Sequence, residues 1–97
     1  MPTYIFLGTF TDQGIRNVKD TTKRVEALRA MAKKLKVTVK EAYWTLGQYD
    51  VVTILEAPDE AAVTALGLSI GAQGNVRTQT LRAFTADEIG PILNRVG

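Results

Sequence analysis

Apolar residues alternate at the start of the chain. Tyr4, Phe6 and Phe10, with Gly8 among them, fall on one side, and Ile5 and Leu7 on the other. A period of two marks a strand, predicted over Thr3 to Thr11. Both sides carry apolar groups, so this strand is expected inside a sheet covered on both faces. Thr11-Asp12-Gln13-Gly14 breaks the alternation and offers a helix cap. From Ile15 to Leu35 the spacing changes: Ile15, Val18, Thr22, Val25, Leu28, Ala32 and Leu35 recur every three or four residues, one stripe of an amphipathic helix. Arg16, Lys19, Lys23, Lys33 and Lys34 lie mostly off that stripe. Asp20-Thr21-Thr22 reads as a second N-cap inside the run, which predicts a short first piece offset from a longer second one.

Val37 to Leu46 is predicted as the second strand. Val37, Val39, Glu41, Tyr43 and Thr45 share one side; Thr38, Lys40, Ala42, Trp44 and Leu46 share the other. The β-branched run Val51 to Glu56 is the third, and Leu46-Gly47-Gln48-Tyr49-Asp50 between them is the turn of a β-hairpin. Ala57-Pro58-Asp59-Glu60 stops that strand and starts a second helix, with Asp59 as N-cap and Ala62, Val63, Leu66, Ser69 and Ile70 as its inner face. Gly71 to Asn75 ends it, and Val76 to Phe84 alternates as a fourth strand. Thr85 followed three residues on by Glu88 is a capping pattern, opening a terminal helix through Ile89, Ile92 and Leu93.

The order is βαββαβ with a C-terminal helix. It predicts one α+β domain over residues 1–97 of the ferredoxin-like kind, a four-stranded antiparallel sheet with helices on one face. Such a sheet should show water a polar outer face, yet the first and third strands are apolar on both sides. The simplest cover is the same face of a second copy, so a homodimer is expected.

Composition narrows the chemistry. Ninety-seven residues, 45% of them hydrophobic, make a single domain with a thin stability margin that oligomerisation would help. There is no His and no Cys, which removes disulfides and the usual zinc and haem ligands; no metal and no cofactor are expected. Asp50 and Glu56 alone would hold a cation weakly. No Gly-rich phosphate-binding motif occurs. No stretch approaches the roughly 20 apolar residues of a membrane span, and no basic segment precedes an apolar one at the N-terminus, so no membrane association and a cytoplasmic location are expected. Residues 1–40 carry nine Lys/Arg against three Asp/Glu, and residues 41–97 three against seven, giving +6 and −4. The basic half could attract nucleic acid or anionic ligands; a solvated helix face accounts for the same charges, and nucleic acid is the less favoured partner.

The candidate ligand-binding residues are Trp44, Tyr49, Asp50 and Arg82. Asp50 and the Tyr49 hydroxyl could converge on a ligand at the hairpin tip; alternatively Gly47 supplies a positive φ and Asp50 bonds nearby amides to fix the turn. Arg82 shares its side with Val76 and Phe84, and facing inward it needs a carboxylate, Glu56 or Asp50, or an anionic ligand. Trp44, Tyr43, Tyr4, Phe6 and Phe10 could stack on a flat organic ligand between sheet and helices, or simply fill the core. Gly74 and Asn75 read as turn residues. No catalytic residue can be assigned. The residues favour a dimeric domain binding a small molecule or a protein partner; the alternative is a cofactor-independent enzyme, oxygenase- or isomerase-like, working through Tyr, Asp and Arg groups.

Several segments carry a family resemblance: Tyr43 to Val52, Glu56-Ala57-Pro58-Asp59, Gly74 to Thr85, and Phe10-Thr11-Asp12-Gln13-Gly14-Ile15-Arg16-Asn17. In this order, over nearly the whole chain, they resemble the GYD domain proteins. One departure is that Gln48 separates Gly47 from Tyr49-Asp50, so the contiguous Gly-Tyr-Asp triplet is missing. The resemblance implies a small bacterial or archaeal protein of the dimeric α+β barrel superfamily. It implies almost nothing about activity.

Overall fold

The computed structural model describes residues 1–97. Strands β1 (Thr3–Phe10), β2 (Thr38–Trp44), β3 (Val51–Glu56) and β4 (Val76–Ala83) form one antiparallel sheet in the order β2-β3-β1-β4. The helices are α1 (Asp12–Arg16), α2 (Thr21–Lys34), α3 (Glu60–Ala72) and α4 (Ala86–Leu93). This is the α+β, βαββαβ arrangement expected from the pattern, with helix α4 appended.

The break inside the first helical run is real. Helix α1 stops at Arg16, a 3₁₀ turn covers Val18–Asp20, and α2 begins at Thr21. Asp20 occupies the N-cap position of α2 but its side chain makes no capping hydrogen bond. The other caps follow from their residue types. Thr11 Oγ1 accepts from Gly14 N, Asp59 Oδ1 from Ala62 N, and Thr85 and Glu88 bond reciprocally in a capping box. Helix α2 ends in a Schellman arrangement, with Lys36 N donating to Lys33 O and Val37 N to Ala32 O. Lys36 holds the left-handed position at φ 61°, where glycine is the usual choice.

One strand departs from strict alternation. A bulge between Val39 and Glu41 inserts an extra residue into β2, which turns the rest of the strand over. Val39 therefore shares a face with Ala42 and Trp44, whereas Tyr43 faces the other way, opposite Val52. The sequence pattern had put Val39 and Tyr43 together.

The helices cover the face carrying Tyr4, Phe6, Leu55 and Val39. These side chains, with Leu28, Ala32, Val37, Ala57, Val63 and Leu66, form the buried core. The opposite face carries Ile5, Leu7, Val52 and Ile54 at its centre, beside Leu81 and Tyr43. Nothing in the chain covers it: Leu81 is 38% and Tyr43 51% exposed, and the other four are half-buried. Arg77, Gln79 and Glu41 surround this patch.

Candidate functional site

The hairpin residues first hold the hairpin to its neighbour. Asp50 N donates to Gly8 O at 2.8 Å, its Oδ2 accepts from Phe10 N at 2.9 Å, and its carbonyl accepts from Thr45 N at 2.8 Å. Each bond uses a group that the end of β1 or β2 would otherwise leave unpaired. Gly47 sits at φ 106° with open space around it. The Tyr49 hydroxyl donates to Gln79 Oε1 at 3.0 Å, reaching the polar margin of the open sheet face.

Arg82 lies elsewhere. It pairs with Tyr4 across the sheet, whereas Asp50 is bonded to Gly8 and Phe10, about six residues or roughly 20 Å along the strand. The partners proposed for it from sequence, Glu56 and Asp50, are not the ones it finds: Glu56 pairs with Lys40 at 3.4 Å, and Arg82 Nη2 lies 3.5 Å from Glu88 Oε2. Its guanidinium also lies 4.3 Å from the Phe84 ring centroid and 5.6 Å from that of Tyr4, and it donates to the carbonyls of Ala83 and Thr3. The Thr85 backbone N–H foremost, helped by the Thr85 hydroxyl and the Arg82 charge, holds the Glu88 carboxyl below its usual value against the opposing effect of desolvation. Arg82 thus buttresses the capping box of α4, on the same side of the sheet as Tyr4 but beyond the helices.

A cavity of about 70 Å³ lies between α2, α3 and the sheet. Phe6, Val25, Leu28, Met31 and Ile70 give it apolar walls, and Arg24 supplies its one charged group. Thr21 stands at its edge, where its Oγ1 accepts from Trp44 Nε1 at 3.0 Å. Trp44 is therefore one hydrogen bond from the cavity, Asn75 lines it, and Tyr49, Asp50 and Arg82 do not. Asn75 is fixed by its neighbours: Gln13 Nε2 donates to its Oδ1 at 2.9 Å and Thr11 N to its carbonyl at 3.1 Å. Gly74, at φ 84°, accepts from the Thr11 hydroxyl at 2.6 Å. Together these contacts tie α1 to the turn between α3 and β4.

Sequence reasoning passed over Arg24, the one charged side chain in the cavity. A signal was present, because Arg24 stands four residues before Leu28 and seven before Met31, on the inner face of α2. Arg24 entered only as one of the nine Lys/Arg of residues 1–40, not by its place on the helix.

Sheet order, helix placement and the hairpin define the class: a small α+β protein with a ferredoxin-like sheet whose outer face is apolar. Residues 4–93 match the GYD domain, and the chain belongs to that family. It is 34% identical over 90 residues to a glutamine synthetase and cystathionine beta-lyase binding protein of Thermus thermophilus, covering 92% of this chain and 95% of that protein. It is also similar to a crystal structure from Thermus thermophilus, with a TM-score of 0.56 and 28% identity over 89% of this chain and 96% of that one.

Proposed function

We propose that this chain is a non-catalytic protein-binding module of a bacterial cytoplasm, in which two copies join through their open sheet faces and the pair docks on a partner enzyme. The observation that carries the reading is the uncovered face built on Ile5, Leu7, Val52 and Ile54. An apolar centre with a rim of Arg77, Gln79 and Glu41 is the anatomy of a protein interface. Four strands at about 4.8 Å spacing and about seven residues in length give a face of roughly 20 by 23 Å. That footprint of about 460 Å² is a little over half the ~800 Å² per partner of a standard interface, before the relief of its side chains is counted. Helix α4 carries exposed apolar side chains of its own, Ile89, Ile92 and Leu93 being 37%, 39% and 59% exposed.

The partner class comes from the relative, whose printed name says that it binds glutamine synthetase and cystathionine beta-lyase. By analogy the partner here is an enzyme of amino-acid metabolism. The test is biolayer interferometry of the immobilised chain against purified glutamine synthetase and purified cystathionine beta-lyase from the same organism. Saturable binding of either enzyme supports the reading. Failure of both to bind at tens of micromolar, with the immobilised protein folded, contradicts it.

A further inference from the structure

We infer that the cavity between α2, α3 and the sheet is a binding site for a small organic carboxylate, with Arg24 as the group that receives the anion. A guanidinium has five N–H donors and no acceptor. In Arg24 only Nη2 is engaged, donating to Gly14 O at 3.2 Å and Asn17 O at 3.1 Å. Nε and Nη1 are buried without a partner. No carboxylate of the chain answers the charge: both ion pairs of the molecule lie elsewhere, at Lys40–Glu56 and Arg82–Glu88, and no acidic residue lines the cavity. Arg24 as a whole is half-buried, but donors shut away from water without a partner are costly. Here two carbonyls and the Phe10 ring, 5.7 Å from the guanidinium carbon, hold it in place while leaving those donors free.

The remaining walls say what else the ligand carries. Phe6, Val25, Leu28, Met31 and Ile70 suit a hydrocarbon body, which a phosphate or sulfate lacks. A dry cavity of about 150 Å³ accommodates benzene; about 70 Å³ suits a chain of a few carbon atoms. The chemistry is that of a short aliphatic carboxylate, anion on Arg24 and alkyl group against Leu28 and Ile70. The site lies on the helix side of the sheet and owes nothing to the open face, so it stands or falls separately from the dimer and from any enzyme partner.

The experiment is a titration of the ¹⁵N-labelled protein with sodium butyrate, followed through amide chemical shifts, at constant pH and ionic strength. Butyramide, of equal size and no charge, is the control on the wild-type protein. The expected result is saturable movement of the Gly14, Asn17, Thr53 and Ile70 amides by butyrate, with butyramide at least about tenfold weaker because the charge-assisted hydrogen bonds are lost. Arg24→Gln should weaken butyrate by a similar factor. The inference is overturned if butyrate produces no saturable shifts, if butyramide binds as well as butyrate, or if the shifts gather on the outer lysines of α2. The butyramide comparison needs no variant, so the outcome stands even if Arg24→Gln unfolds.

Discussion

Replacing Gly14 by Ala and Gly71 by Ala should move stability in opposite directions, although both glycines lie in helices with negative φ. At Gly14 an added Cβ would sit 1.9 Å from Asn75 O and 2.8 Å from Asn75 C, both backbone atoms. Contact at ordinary distance requires α1 to move away from the α3–β4 turn by about 1 Å or more. That displacement strains the bonds from Thr11 N to Asn75 O and from the Thr11 hydroxyl to Gly74 O. Each contributes about 1 kcal/mol net, and crowding of packed backbone adds about 1–3 kcal/mol. The helix preference for Ala returns about 1 kcal/mol, leaving a loss of roughly 2–4 kcal/mol when both bonds are broken. At Gly71 nothing lies within 4 Å, so only the preference remains, a gain of about 0.5–1 kcal/mol. Urea unfolding followed by circular dichroism, at one protein concentration, measures both. With about 4–8 °C of Tm per kcal/mol for a domain of this size, Gly14→Ala should melt several degrees or more below the wild type and Gly71→Ala a few degrees above. If Gly14→Ala were as stable as the wild type, the close seat of α1 on Asn75 would be refuted.

Two further outcomes follow from the termini of α2 and α4. Lys36→Gly relieves the left-handed strain at the end of α2 and should stabilise the protein by up to about 1 kcal/mol, read as a higher urea midpoint with unchanged slope. Glu88 should titrate below its ordinary value of 4.5, because the Thr85 backbone N–H, the Thr85 hydroxyl and Arg82 favour its charged form. A depressed folded-state pKa stabilises above the unfolded value, and that contribution is lost as the pH falls through the folded one. The α4 cap therefore weakens below pH 4.5, and Arg82→Gln should raise the Glu88 midpoint part of the way; side-chain carboxyl NMR follows it. A midpoint at or above 4.5 in the wild type would contradict the capping geometry.

Much of this fold was legible because local chemistry agrees with the final architecture. Thr85 and Glu88 announce their helix by a pattern that survives into the structure as a reciprocal capping box, and Asp20-Thr21 marks the break between α1 and α2. The two apolar sides of β1, Tyr4 and Phe6 against Ile5 and Leu7, already marked a sheet with a second apolar face that its own helices leave open. The bulge in β2 was not legible, because nothing in Val39-Lys40-Glu41 demands an extra residue; it is set by pairing with Leu55 and Ile54. The site was read less well for a related reason. Arg82 was given the wrong carboxylates because pairing across the sheet and the return of α4, both tertiary facts, bring Glu88 to it. Arg24 was overlooked since helical periodicity shows which residues face inward without saying that an inward cation will find no carboxylate.

The central claim is that the open sheet face joins two copies, and sedimentation equilibrium at micromolar concentration tests it most directly. Ile54 stands between Ile5 and Glu41 at the centre of that face. Burying such a side chain contributes about 1.5–3 kcal/mol, and two-fold symmetry counts it twice, so Ile54→Lys should weaken association by at least two orders of magnitude. The account predicts a mass of twice the 10.6 kDa chain for the wild type and of one folded chain for Ile54→Lys. A folded wild-type protein that sediments as 10.6 kDa throughout, or an Ile54→Lys variant that pairs as tightly as the wild type, would contradict it.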